Sequence, residues 1–178
     1  MKASPPRRPS GVSRDLFFDT VTLSNFALAR RVDLLVDRYG QQARITQEVR
    51  NEVLEGIVAG YPALRAIEVA LQQEERLSAT GELTAEERRV YRELLHSLAP
   101  GEASCVACAK VRGGTVVTDD RAARGCCGER DVRVTGTIGI LKACVQDGTL
   151  AAEQADAILR SMIDAGYFSP VRRISDLL

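Results

Sequence analysis

An α/β fold on a parallel sheet is what this sequence predicts. Short apolar runs of strand length alternate with segments of helical period, the pattern of successive βα units. Two of those runs, Leu16-Phe17-Phe18-Asp19-Thr20 and Thr115-Val116-Val117-Thr118-Asp119-Asp120, end in carboxylates and lead straight into helical patterns. The 178 residues suffice for one well-buried domain and are few for two. In an open parallel sheet the carboxyl ends of the strands line the ligand crevice, so Asp19 and Asp119 or Asp120 are expected in one site.

The elements follow in order. Residues 1–14 are charged and proline-rich without an apolar core, and read as a disordered leader rather than a secretory signal. A first strand is expected over 15–19, helices over 21–31 and 33–39, and a short second strand at Ala43 to Thr46. Thr46 caps a helix that runs to Gly56, with Gln47 and Glu48 in its first turn. Residues 62–98 carry two charged amphipathic helices, the first opened by Pro62 and the second by the capping signal Thr84-Ala-Glu-Glu87, and read as an inserted helical hairpin or lid. Pro100-Gly101 breaks the chain before a helix over 102–112, Gly113-Gly114 ends it, and a strand follows at 115–118. A helix at about 120–127, a strand at 132–134 and helices from Thr137 to about Gln146 and from Ala151 to Asp164 complete the pattern, with 169–178 as a C-terminal tail.

Composition narrows the function classes. Lys plus Arg (24) balances Asp plus Glu (24), so global charge makes no case for nucleic-acid binding and any such surface must be local. No stretch approaches the ~20 apolar residues that span a bilayer. The five cysteines, at 105, 108, 126, 127 and 144, are an odd set without an export signal, which argues for reduced thiols in a cytoplasm. Cys105-Val-Ala-Cys108 resembles half of a zinc knuckle but has no matching second half, and it sits in a run of small residues typical of a close-packed helix. His96 lies alone on an amphipathic helix, away from the acidic motifs.

Each acid has a plain reading beside the chemical one. Asp19 would N-cap the helix after the first strand, and one of Asp119 and Asp120 would cap the next helix, leaving the other unexplained. Glu102 suits the first turn of a helix, where it complements the dipole. Glu52 falls at the edge of the stripe formed by Val49, Val53 and Ile57, with Glu48 and Glu55 further toward solvent. Clustered carboxylates repel one another unless a cation lies between them, so the set points to a divalent metal.

The motifs in order carry a resemblance: Phe18-Asp19-Thr20 with Leu23-Ser-Asn-Phe26; Ile45-Thr-Gln-Glu-Val49 with Glu52; Gly101-Glu-Ala-Ser104 with Ala107 and Ala109; Val117-Thr-Asp-Asp-Arg-Ala-Ala-Arg124; and Val134-Thr-Gly-Thr-Ile-Gly-Ile-Leu141. Over residues 15–168 the chain resembles the PIN-domain family, and within it the branch related to VapC-type toxins of prokaryotic toxin–antitoxin pairs. The resemblance implies a three-layer α/β/α fold with a short parallel sheet. It also implies a Mg²⁺- or Mn²⁺-dependent ribonuclease site in which Asp19, Glu52, Glu102 and Asp120 are the catalytic acids. Asp19, Glu102 and Asp120 would ligate metal, with Asp119 competing with Asp120, and Glu102 stands where many members carry Asp. Thr20 and Thr118 are candidates to hydrogen-bond a ligand or phosphate, and Arg121 and Arg124 to meet the RNA backbone.

The function expected is therefore a metal-dependent endoribonuclease acting as the toxin of a toxin–antitoxin pair. Its partners would be an RNA substrate, a cognate antitoxin and a second copy of the chain, in the cytoplasm and away from membranes. A PIN-like RNA- or protein-binding module that has lost cleavage is the alternative, since fold alone does not guarantee activity. A cysteine-ligated zinc protein is the third reading.

Overall fold

Five strands pair side by side in the order β3-β2-β1-β4-β5, all parallel: β1 (Leu16–Phe18), β2 (Ala43–Ile45), β3 (Ser78–Ala79), β4 (Thr115–Val117) and β5 (Arg133–Thr135). Residues 15–73 and 76–178 are described by this computed structural model, and the leader expected at 1–14 lies outside the described residues. Central β1 pairs Phe17 with Arg44 on one side and with Val116 on the other. Phe17, Phe18, Val116 and Val117 are fully buried, which is why these runs carry no polar alternation.

Nine α-helices are found among the described residues: α1 (Thr20–Leu28), α2 (Val32–Tyr39), α3 (Gln47–Val58), α4 (Arg65–Gln72), α5 (Ala85–Leu94), α6 (Pro100–Arg112), α7 (Arg121–Glu129), α8 (Thr137–Gln146) and α9 (Ala152–Asp164). α1 packs with α2, α4 and α9, while α6 packs with α5 and α7, so helices clad the sheet as three layers. From β1 the chain steps outward to β2 and β3, then crosses back through α5 and α6 to β4 and continues to β5. The strand order thus reverses between β1 and β4. That reversal opens a crevice at their carboxyl ends.

Sequence and structure agree on the caps: Thr46 Oγ1 accepts from Val49 N, and Thr84 and Glu87 form a reciprocal capping box. They differ in the 62–98 segment. The two expected helices are present as α4 and α5, but between them Ser78–Ala79 pairs with Arg44–Ile45 and adds an edge strand. Buried Leu77 and Leu83 on either side of β3 bind it to the core, so the segment is part of the sheet.

α6 sits against β1 and β4 and is buried along its length from Ala103 to Ala109. Only small side chains let a helix approach a sheet that closely. The Cys105 thiol donates to the Phe18 carbonyl oxygen at 3.3 Å, and burial pushes the Cys108 thiol up to about 12. Cys105 and Cys108 are core residues, in keeping with the run of small residues around them. At the end of α6 Gly113 adopts a left-handed conformation (φ 74°), and a Cβ on Gly114 would stand 2.5 Å from the Phe17 ring. The Gly113-Gly114 pair therefore ends the helix and lets β4 start against β1.

Two polar clasps fasten the outer helices. Glu87 on α5, with a fully buried side chain, accepts from Arg112 Nε at 2.5 Å and Nη2 at 3.1 Å, and that guanidinium lies 5.8 Å from the Phe17 ring centroid. Burial disfavours the Glu87 charge, but the hydrogen bonds from Arg112 and Thr84 outweigh it and hold the carboxyl below the ordinary glutamate range. On α9, Asp156 accepts from the backbone N–H groups of Ile174 (2.5 Å) and Ser175 (3.0 Å), which draws fully buried Ile174 onto the core.

Candidate active site

The crevice is built from the first residues beyond β1 and β4. Asp19 N still donates to Val117 O at 3.0 Å, so the residue remains attached to the sheet while its side chain turns to the helix ahead. Its Oδ1 accepts from Thr22 N at 2.7 Å and caps α1; its Oδ2 accepts from the Thr118 hydroxyl at 2.5 Å. Asp19 is 1% exposed. Burial pushes its carboxyl up, the hydrogen bonds from Thr118 and Thr22 pull it back, and the nearby Asp119 charge adds to the rise. Asp120 repeats the arrangement one strand away. Its Oδ1 accepts from Ala123 N at 2.8 Å to cap α7, while its N–H donates to the Thr118 hydroxyl oxygen at 3.1 Å. Both capping expectations hold, and capping uses only Oδ1 of each acid.

The two glutamates arrive from α3 and α6. Glu52 Oε1 accepts from Gly101 N at 2.8 Å, at the start of α6, and its Oε2 accepts from the Thr20 hydroxyl in a short bond. The edge-of-stripe position read from the sequence thus turns this carboxylate toward the ends of α1 and α6. Glu102 reaches back to Ala99 N at 3.2 Å. Burial pushes its carboxyl up, and the charges of Asp120, Asp19 and Glu52 push it further against the Ala99 bond. Those charges act on Glu102 because the structure brings the four acids together. No ion pair among the described residues reaches any of the four.

Asp119 is tied differently. Its Oδ1 accepts from Thr137 N at 3.0 Å, and its Oδ2 from the Thr137 hydroxyl at 2.5 Å and Asn25 Nδ2 at 3.4 Å. With both oxygens occupied, it joins β4 to the start of α8. The residues expected to meet substrate also have partners here. Thr20 and Thr118 direct their hydroxyl protons to Glu52 and Asp19, and Arg124 Nη1 donates to Thr118 O at 2.9 Å and Thr135 O at 3.2 Å. Arg121, the first residue of α7, is exposed.

A family model, DUF3368, described as a PIN domain, matches residues 16–178. The chain belongs to the PIN-domain family. No curated protein and no solved structure matches it. The PIN domain is a nuclease fold, and PIN domains generally use divalent metals.

The side chains of this PIN domain suit a hard cation in chemistry. The four acids offer only carboxylate oxygens, and among the described residues no cation pairs with them and no hydrogen bond reaches Asp120 Oδ2 or Glu102 Oε1. Their spacing is open: among the described residues no three acids stand close enough to form a ready ligand shell. Mutually repelling carboxylates separate in this way, each onto its own donors. Asn25, Gly101 and Thr137 stand within the sequence motifs, Gly101 and Thr137 as helix-start signals, but none carries a role at the site there. Their work is to hold Asp119 and Glu52. Tyr167 was not singled out; burial, together with the nearby Asp119 anion, pushes its phenol well up.

Among the described residues no helix is long and apolar enough to cross a membrane.

Proposed function

We propose that this PIN domain is a Mg²⁺- or Mn²⁺-dependent endoribonuclease that hydrolyses RNA phosphodiester bonds, and that it is the toxin of a toxin–antitoxin pair. The observation that carries the proposal is the convergence of Asp19, Glu52, Glu102 and Asp120 where the strand order reverses, with no protein cation paired to them among the described residues. Asp19, Glu102 and Asp120 would hold the metal, and Asp120 is favoured over Asp119 because no hydrogen bond among the described residues reaches its Oδ2. When bound, a divalent ion lowers the pKa of water and offsets charge developing on the phosphate.

The chain's own groups then set the geometry. Thr118 fixes Asp19 Oδ2 and the Asp120 backbone with one hydroxyl, so the two aspartates move as a unit. Glu52, held through both oxygens by Gly101 N and Thr20, is a rigid anion at the rim that orients water. Arg124 locks the Thr118 and Thr135 carbonyls, and exposed Arg121 is left to meet the RNA backbone. In this reading the protein works in the cytoplasm as a homodimer neutralised by a cognate antitoxin; its five free thiols, four of them buried, suit a reducing compartment.

The test is cleavage of single-stranded and structured RNAs with Mg²⁺ or Mn²⁺ by wild type, Asp19→Asn and Asp120→Asn. Metal-dependent cleavage lost in both variants is expected; undiminished activity in both would sink the site assignment. Growth arrest on expression, relieved by a small neighbouring open reading frame, tests the toxin role.

A further inference from the structure

The C-terminal segment presents an aromatic ring that the fold does not use. Phe168 is 96% exposed, while its neighbour Tyr167 is half-buried and turned to Asp119. The backbone around Phe168 is nevertheless fixed. Tyr167 N donates to Met162 O at 2.9 Å, Ser169 N to Tyr167 O at 3.1 Å, and the Ser169 hydroxyl to Val171 O at 2.6 Å. The ring is held out from an anchored turn.

Two clefts flank it, both edged with arginine. On one side Phe168 borders a cavity of about 650 Å³ shared with Asp119, Arg121, Arg124 and Gly136, beside the carboxyl end of β5. On the other it borders a cavity of about 690 Å³ lined by Arg160, Arg172 and Arg173. Asp176 neutralises Arg173, with Oδ1 2.6 Å from Nη2, whereas Arg121, Arg160 and Arg172 enter no ion pair among the described residues. The chain as a whole carries no net charge; the lining of the second cleft holds three arginines and no acid, while Arg160 and Arg173 also border Glu153, Asp156 and Asp164 in the cleft next to it.

We infer that Phe168 is a base-stacking platform for single-stranded RNA, with the arginines of the two clefts taking the phosphates on either side of the stacked nucleotide. An aromatic face among cations is how single strands are held without sequence readout, because every base offers a π-face and every linkage a charge. A duplex keeps its bases stacked inside and cannot offer one to the ring. The assignment names the substrate class of the ribonuclease site and rests on that reading for its link to cleavage, though the binding step can be measured without it.

The chain contains no tryptophan, so Phe168→Trp introduces a single reporter at the platform. With EDTA present to prevent cleavage, a short fluorescein-labelled single-stranded RNA of mixed sequence is titrated against wild type, Phe168→Ala and Phe168→Trp, with the same sequence as a duplex in parallel. The expected result is single-strand affinity reduced about 5- to 100-fold in Phe168→Ala, affinity restored in Phe168→Trp, and indole emission quenched by the single strand but not by the duplex. In Mn²⁺ the Phe168→Ala change should fall on KM rather than kcat.

Unchanged affinity in Phe168→Ala, or unquenched emission on saturation with single strand, overturns the inference. So does emission that changes with protein concentration alone, together with loss of self-association in Phe168→Ala, because the ring would then belong to an interface between copies. The two readings fail separately. Cleavage abolished by Asp19→Asn but indifferent to Phe168 leaves the nuclease without the platform, and quenching by RNA that no metal allows the protein to cut leaves the platform without the nuclease.

Discussion

Replacing Gly101 with alanine is expected to disable the site while the fold stays intact. Gly101 lies in the first turn of α6, and its N–H donates to Glu52 Oε1 at 2.8 Å. A Cβ there would stand 2.8 Å from both Glu52 Cδ and Oε1, and closer still to Oε2. Ordinary van der Waals contact begins at 3.4 Å, so the carboxylate must retreat by the difference, about 0.6 Å or more, and loosen from Gly101 N and Thr20. Misplacing a positioned group by about 1 Å costs on the order of 10²-fold in rate. The expected fall in kcat is therefore about 10- to 100-fold. Stability should hold or rise, because alanine is the better helix former by about 0.8 to 1 kcal/mol. Initial rates of RNA cleavage in Mn²⁺, with thermal melts of the same preparations, check both halves. A kcat within about twofold of wild type would show that Glu52 tolerates the intrusion, and the reasoning would be refuted. Activity lost together with Tm would refute it as well, since the harm would then lie in the fold.

Changes at three further positions probe the supports of the site and fold. Thr118→Val removes the donor to Asp19 and the acceptor for Asp120 N, and should cost about 1 to 3 kcal/mol in urea unfolding besides most of the activity; a variant as stable as wild type would mean that the hydroxyl does not join the two aspartates. Glu87→Ala leaves Arg112 without its carboxylate and should cost about 3 to 5 kcal/mol. Because the folded state holds the Glu87 carboxyl below its ordinary range, its stabilisation is full above the ordinary glutamate pKa and fades as pH falls through the lowered value, so Glu87→Gln should flatten the acid side of a stability–pH curve. In EDTA Glu102→Gln should melt above wild type, since it removes one of four converging charges, and Mn²⁺ should raise Tm in wild type more than in the variant; equal responses to Mn²⁺ would remove Glu102 from the metal set.

The sequence makes β1 and β4 plain because Leu16-Phe17-Phe18 and Thr115-Val116-Val117 are buried strands ending in helix caps, signals that are wholly local. The helical angle of Glu52 put it only at the edge of the buried stripe, and its place among the acids came from the family resemblance. β3 was not legible, because Ser78-Ala79 has neither length nor alternation, and its pairing with β2 depends on buried Leu77 and Leu83. The choice between Asp119 and Asp120 was hidden for a related reason. Asn25 and Thr137, which saturate Asp119, hydrogen-bond each other across 112 positions of sequence, and only the closed sheet brings them together. Thr20 and Thr118 looked like substrate contacts at strand ends. In the fold each hydroxyl donates instead to a nearby carboxylate, the stronger acceptor.

Asp19 and Asp120 each give Oδ1 to a helix N-terminus, and the second oxygen of Asp19 takes the Thr118 hydroxyl. An alanine scan would therefore merge two losses at these positions, since removing a cap alone costs about 1 kcal/mol. Asparagine separates them: its carbonyl oxygen can still accept from Thr22 N or Ala123 N, so the cap stays while the charge goes, and at position 19 the Thr118 hydroxyl loses its acceptor as well. The codons for aspartate and asparagine differ by a single base. A folded copy of this protein lacking one of these charges is thus one nucleotide change away, and under the proposed function such a copy would be silent yet would still compete with the active form for RNA.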